Sequence, residues 1–369
     1  MKNYYFYTNK ICVGYDKKPL IKEIEIELPK GEILTLIGSN GAGKSTVLKS
    51  IAGQLSLISG AVYIGRQSLA EMGRGELAKK MSVVFTEKPK TEMMTCEDVV
   101  ATGRYPYTGR FGILSKEDNQ IIEEVMELVH MTDIRSQDFQ KISDGQKQRV
   151  MLARAICQQP EIIILDEPTS YLDIKYKLEF LSILQEMRKK KELTVIMSLH
   201  ELELAERVSD KILCLKGEYV EKYGTPAQIF QADYIKRLFK IKMGSFDEEN
   251  GIVELERPKG KADLFVIAGG GSGRSVYRKL QREGQAFVTG ILSDNDLDFP
   301  TANALASEVI STRAFELVEQ QTLEQAKKAV DTCKRVICCR TAFGTFESAN
   351  KELFEYARQT GKLEEIREK

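Results

Sequence analysis

The chain has no net charge: 54 basic residues balance 54 acidic ones over 369 positions. With no field of one sign to gather an anionic partner, nucleic acid is not expected to bind. No stretch reaches the roughly 20 apolar residues that cross a bilayer, and residues 1–7 are polar and aromatic rather than an apolar signal region. Any tie to a membrane is therefore expected to run through another protein. The seven cysteines, at 12, 96, 157, 214, 333, 338 and 339, are odd in number and have no framework spacing. Reduced thiols in a cytosolic protein are expected, with several acting as small apolar residues, as Cys214 does in the run 212–215. The adjacent Cys338 and Cys339 have no histidine or acidic cluster near them in sequence, so burial is the simpler reading. Internal repeats and low-complexity tracts are also lacking, and histidine occurs only at 130 and 200.

The length exceeds one domain of roughly 100–200 residues, and 42% apolar residues suffice for a core. Residues 4–28 alternate in the strand manner, as in Ile24-Glu25-Ile26-Glu27-Leu28, and predict antiparallel strands. A short strand over 32–37 then runs into a glycine-rich loop and a helix. Helices are expected over 117–130, 145–157 and 178–190, and strands buried on both faces over 162–165 and 194–199. Gly244, Asp247-Glu248-Glu249, Gly251, Pro258 and Gly260 have linker composition. They divide a first domain, 1–243, from a second, 262–369, through a linker at 244–261. In the second, strands at 263–268, 286–292 and 334–339 alternate with helices, which implies a Rossmann-like parallel sheet of about four strands.

Gly38-Ser39-Asn40-Gly41-Ala42-Gly43-Lys44-Ser45-Thr46 has the spacing G-x-x-x-x-G-K-[ST] between a predicted strand and helix. Its glycines let backbone amides wrap phosphate oxygens, and the helix N-terminus adds the positive end of its dipole. Lys44 supplies a point charge to the β- and γ-phosphates and Ser45 a hydroxyl to Mg²⁺. A second acidic element is expected on a neighbouring strand, and Ile162-Ile163-Ile164-Leu165-Asp166-Glu167 provides it. Asp166 is suited to hold Mg²⁺ through water and Glu167 to accept a proton from an attacking water. His200 follows the other buried strand, where an imidazole can reach a γ-phosphate. His130, at the end of a polar helix, reads as structural.

These residues resemble the ABC transporter ATPase family over roughly residues 2–240. Ile142-Ser143-Asp144-Gly145-Gln146-Lys147-Gln148-Arg149 is similar to the family's signature motif, Ser170-Tyr171-Leu172-Asp173 to its D-loop, Tyr15 to its adenine-stacking aromatic and His200 to its switch histidine. The resemblance implies a RecA-like core with antiparallel β and helical subdomains. It also implies a head-to-tail dimer with ATP between one copy's phosphate loop and the other's Ser143, Gly145 and Gln146, and places Asp173 among the ATP-binding residues. Two positions depart from the pattern. Asp144 stands where the family has glycine, and is expected to point away or to cap the helix. Thr86, followed by Glu87, stands where the family has glutamine; either can reach Mg²⁺ or water.

Gly103-Arg104-Tyr105-Pro106-Tyr107 resembles the ATPases of iron-siderophore, haem and cobalamin importers, in the segment that touches the membrane subunit. Mixed Arg and Tyr suit a docking surface. Iron-siderophore is the first expectation for cargo and cobalamin the second. The implied partners are integral permease subunits and, indirectly, a substrate-binding protein, at the inner face of the cell membrane. A soluble, non-transport ABC ATPase is the alternative. A ribosomal factor would normally carry two cassettes and a basic linker, and a chromosome-type ATPase a long coiled coil; the chain has neither.

In the second domain, residues 264–268 and Gly269-Gly270-Gly271-Ser272-Gly273-Arg274 look like a strand–loop–helix ligand site, with Asp294 as a ribose acid. No phase of the loop matches G-x-G-x-x-G, since Val276 takes the third position after Gly271 and Gly273. The readings left open are a dimer-stabilising or unliganded domain, a sensor near 270–274, Asp294 and Asp296 that modulates the ATPase, or an enzyme.

Overall fold

The computed structural model describes residues 4–85, 93–231, 233–241, 243–247 and 251–364. They fall into two compact units, Met1–Gln231 and Ala232–Lys369.

The first unit is built on an eleven-stranded sheet with an antiparallel and a parallel half. Phe6–Tyr15 and Lys18–Ile24 form a hairpin whose turn residues, Asp16 and Lys17, both have positive φ (49° and 61°), the backbone that suits the right-handed strand twist. Ser59–Ile64 pairs antiparallel on the other side of Phe6–Tyr15. The alternation read at 24–28 holds: Ile24, Ile26 and Leu28 are fully buried while Glu25 and Glu27 are exposed.

The parallel half runs Met81–Val84, Ile162–Leu165, Thr194–Ser198, Ile33–Ile37, Lys211–Lys216. Every residue of the three central strands is buried, as continuous apolar runs with both faces covered require. All their carboxyl ends point the same way, which sets the phosphate loop, the acidic pair and His200 on one edge.

The helices Cys96–Ala101, Lys116–Leu128 and Asp144–Cys157 pack together. A Cβ on Gly103 would lie 2.3 Å from the carbonyl oxygen of Arg154, so glycine is what lets this segment approach the third helix. Among the Arg and Tyr residues of the segment expected to dock a membrane subunit, Arg104 alone departs from that expectation. It is buried, donates from Nε to Asp118 Oδ1 at 2.8 Å and from Nη1 to the Cys157 carbonyl at 2.8 Å, and stacks 4.0 Å from the Tyr107 ring. A guanidinium with these partners ties the helices to one another; the exposed large residues of the segment include Tyr105, Tyr107, Phe111 and Ile113.

In the second unit five parallel strands are ordered Glu308–Thr312, Phe287–Ser293, Leu264–Ile267, Arg335–Cys338, Leu363–Glu364, with apolar clusters against both faces. The expected linker is not one. Ser245–Asp247 and Ile252–Glu254 form a hairpin, and Glu254, buried, takes the Arg278 guanidinium at 2.6 Å and the Thr301 hydroxyl at 3.2 Å. The second unit therefore begins near residue 232 rather than 262. Among the described residues no disulfide forms, and burial pushes the Cys157 and Cys339 thiols up to about 12.

Candidate nucleotide site

Ile33–Ile37 delivers the chain to Gly38, whose Cβ, if present, would sit 2.7 Å from the Leu215 carbonyl oxygen. Gly43, at φ 92°, is the left-handed N-cap of the helix Lys44–Ile51. The first amides of that helix have no intrahelical acceptor and carry the positive end of its dipole. Lys44 is buried, and its Nζ donates to the Gly38 carbonyl at 2.9 Å and the Ser39 carbonyl at 3.4 Å, across the loop. Burial pushes its pKa below the usual value; the Glu167 and Asp166 carboxylates oppose that shift. The Tyr15 hydroxyl lies 3.2 Å from Thr46 Oγ1, with the ring half exposed.

Opposite the loop, Ile162–Leu165 ends in Asp166, which is buried, and Glu167, at φ 50°. His200 Nε2 lies 2.5 Å from Glu167 Oε1, and the Ser170 hydroxyl donates to Glu167 Oε2 at 3.4 Å. A cleft of about 330 Å³ is lined by residues 40–46, Leu20, Glu167 and His200. The parallel half of the sheet thus brings the expected phosphate loop, carboxylate and imidazole together.

The other expected site residues do not line that cleft. Ser143 caps the helix Asp144–Cys157 in a reciprocal box: Gln146 N donates to Ser143 Oγ at 3.3 Å, and Ser143 N to Gln146 Oε1 at 2.9 Å. Asp144 is therefore in the first turn rather than at the cap, with Oδ1 3.9 Å from Lys147 Nζ. Gly145 faces Leu172 and the Tyr171 carbonyl. Asp173 caps Ile174–Lys191 by accepting from Tyr176 N at 3.0 Å. Thr86 and Glu87 lie outside the described residues.

Two neighbours escaped the sequence reading. Ser198 joins Asp166 to the Glu167 amide; a serine inside the apolar run 194–199 was its only signal. Glu201 accepts from Lys177 at 2.6 Å and Thr169 at 2.9 Å. Burial pushes its carboxyl up, but these donors outweigh burial and hold it below the usual carboxylate range.

Among the described residues no three His, Cys, Asp or Glu side chains gather as an ion cage. Mg²⁺ characteristically binds through one or two carboxylates plus substrate phosphates, and the hard oxygen donors of Ser45 and Asp166 beside a phosphate loop fit that ion.

The glycine loop of the second unit is different. The amides of Gly273 and Arg274, which open the helix Arg274–Arg282, donate to the fully buried Asp298 at 2.9 and 3.1 Å, and Gly270 N donates to Asp296 at 2.9 Å. Internal carboxylates take the loop amides that a phosphate would use, which argues against the dinucleotide reading. The Asp294 backbone amide donates to the Thr312 carbonyl.

A parallel core with a phosphate loop, an acidic strand end and a histidine on one edge, flanked by an antiparallel subdomain and a helical one, defines an ABC-type ATPase. Residues 21–170 match the ABC transporter family, and residues 287–364 match the MJ0874 family. The chain is 39% identical over 287 residues to the ABC transporter ATP-binding protein MJ0873 of Methanocaldococcus jannaschii, covering 78% of this chain and 99% of that one. It is 35% identical to the iron(3+)-hydroxamate import ATP-binding protein FhuC of Bacillus subtilis, over 63% of this chain and 87% of FhuC. The cobalamin import ATP-binding protein BtuD of Halobacterium salinarum is 26% identical over 84% of this chain and 79% of its own. Among solved structures, a metal-chelate type ABC transporter in an inward-facing conformation shares the fold at TM-score 0.58 and 24% identity, covering 68% of this chain and 96% of that chain. The chain belongs to the ABC transporter ATP-binding proteins, and it is an ATP hydrolase with a second α/β unit behind the ATPase.

Proposed function

We propose that the chain energises an ABC importer whose cargo is an iron-siderophore or a related metal chelate such as haem or cobalamin. The observation that carries the ATPase chemistry is the cleft in which Glu167 and His200 face the phosphate loop. Gly38, Ser39, Asn40, Gly41, Ala42 and Gly43 cradle the phosphates with the amides of Lys44, Ser45 and Thr46, and Lys44 turns its ammonium from the loop carbonyls to the β- and γ-phosphates. Tyr15 stacks on adenine. Ser45 and Asp166 hold Mg²⁺, with Thr86 or Glu87 as a further contact; the ion, when bound, neutralises charge on the phosphates. Glu167 accepts the proton of the attacking water, and His200 orients that water and the γ-phosphate. Ser143, Gly145 and Gln146 act on the ATP of a second copy, whose phosphate loop they close, and Asp173 is a further ATP-binding residue.

Among the described residues no helix is long and apolar enough to cross a membrane, so transport requires permease subunits, with this chain on their cytoplasmic side and a substrate-binding protein beyond them. The exposed Tyr105, Phe111 and Ile113 offer the permease an apolar surface. Importer names among the relatives support the cargo class. Purification of the full chain from membranes tests the proposal. An integral permease that co-purifies, with phosphate release stimulated by the chelate and its binding protein, supports it. A chain that comes down only with ribosomes or DNA belongs to the soluble, non-transport alternative.

A further inference from the structure

Thr194–Ser198 and Ile162–Leu165 are neighbouring parallel strands, with Leu165 opposite Met197. The next residue on each is polar and buried: Asp166 on one, Ser198 on the other. Ser198 Oγ donates to Asp166 Oδ1 at 2.7 Å and accepts from the Glu167 amide at 2.9 Å. One hydroxyl thus holds the carboxylate of the first acid and the backbone of the second. Glu167 has φ 50°, a left-handed conformation that L residues adopt at a cost and keep only where the surroundings enforce it.

The strand does not need this hydroxyl in order to form. Thr194, Val195, Ile196 and Met197 are buried like their neighbours, and a β-branched apolar residue at 198 would continue the run. A hydroxyl in so apolar a place is explained by what it touches.

We propose that Ser198 is a positioning residue for the acid pair. It fixes which way the Asp166 carboxylate faces the Mg²⁺ position and fixes the backbone from which Glu167 reaches the water. The inference rests on the nucleotide-site reading above.

The test uses the full chain as Ser198→Ala, Ser198→Thr and Ser198→Val. A fluorescent ATP analogue is titrated in EDTA and then against Mg²⁺, and single-turnover phosphate release is measured alongside. Loss of a hydrogen bond to a charged group predicts that Ala and Val raise the Mg²⁺ concentration for half-maximal binding, and slow phosphate release, each by roughly tenfold to a hundredfold. Binding in EDTA stays at the wild-type level. Thr keeps the hydroxyl and recovers most of both losses, whereas Val, of the same shape, does not. Wild-type Mg²⁺ dependence in Ser198→Ala overturns the proposal, as does equal impairment of Thr and Val, which would assign the effect to packing. Glu167→Gln, run in parallel, separates the two levels. If it too keeps wild-type phosphate release, the reading of the whole site fails rather than that of Ser198.

Discussion

His200 Nε2 and Glu167 Oε1 are 2.5 Å apart, each two residues beyond the end of a buried strand, on neighbouring strands of the parallel half. The imidazole therefore meets the carboxylate proposed to take the water's proton. Glu167→Gln is expected to lower phosphate release by roughly 10²- to 10⁴-fold, the usual worth of a positioned general base, with ATP binding retained. Lys44→Ala is expected to lose both binding and release. His200→Ala should leave binding intact and lower release by less than Glu167→Gln does. Equilibrium binding and phosphate-release assays on the three variants resolve these patterns.

The buried pair of Arg104 and Asp118 gives a stability prediction. Removing one partner of a buried ion pair costs about 3–5 kcal/mol, so Arg104→Ala should markedly lower the thermal midpoint of the first unit. Asp118 is held below its usual carboxylate value of 3.8, first by hydrogen bonds from the Ser115 hydroxyl and amide and then by the Arg104 guanidinium, against burial, which pushes it up. A depressed folded pKa contributes stability that is present above the unfolded value and is lost as pH falls through the folded one. Acid melting below about pH 4 should therefore be steeper in the wild type than in Asp118→Asn, by calorimetry across pH.

Ser143→Ala removes a helix cap, worth about 1 kcal/mol, and a residue proposed to contact a second copy's ATP. The expected result is a small drop in melting temperature with loss of ATP-driven dimerisation. Light scattering in a Glu167→Gln background, where ATP persists, measures it.

Truncation after Gln231 should yield a folded ATPase unit. A chain ending at Lys261 carries the hairpin 245–254 without Arg278 and Thr301, so Glu254 loses both partners. Limited proteolysis should trim the longer form back toward residue 231 and leave the shorter one intact.

The strand positions, the phosphate loop and the acidic strand end were legible because each is local. β-Branched runs buried on both faces have a composition of their own, and the loop's chemistry is contiguous over residues 38–46. What escaped depends on distant partners. Gly, Asp and Glu around 244–251 have the same composition in a linker as in a hairpin; the partners of Glu254 that decide which, Arg278 and Thr301, lie 24 and 47 positions beyond it. Arg104 looked like a surface residue because its partner Asp118 lies 14 residues further on. In the second unit, Glu308–Thr312 and the two-residue Leu363–Glu364 lie at the sheet's two edges, where apolar signal is weakest. The glycine loop after Ile267 was visible, but not the aspartates that fill it from 24 to 26 positions away.

Ser143 and Gln146 answer each other across one turn of helix, so in a solitary chain both already have an intramolecular mate. In that cap both side chains accept from backbone amides, so the Ser143 hydroxyl proton and the Gln146 side-chain NH₂ remain as donors. An oxyanion arriving from a neighbouring molecule would meet them with the turn already closed, and would not have to break the cap.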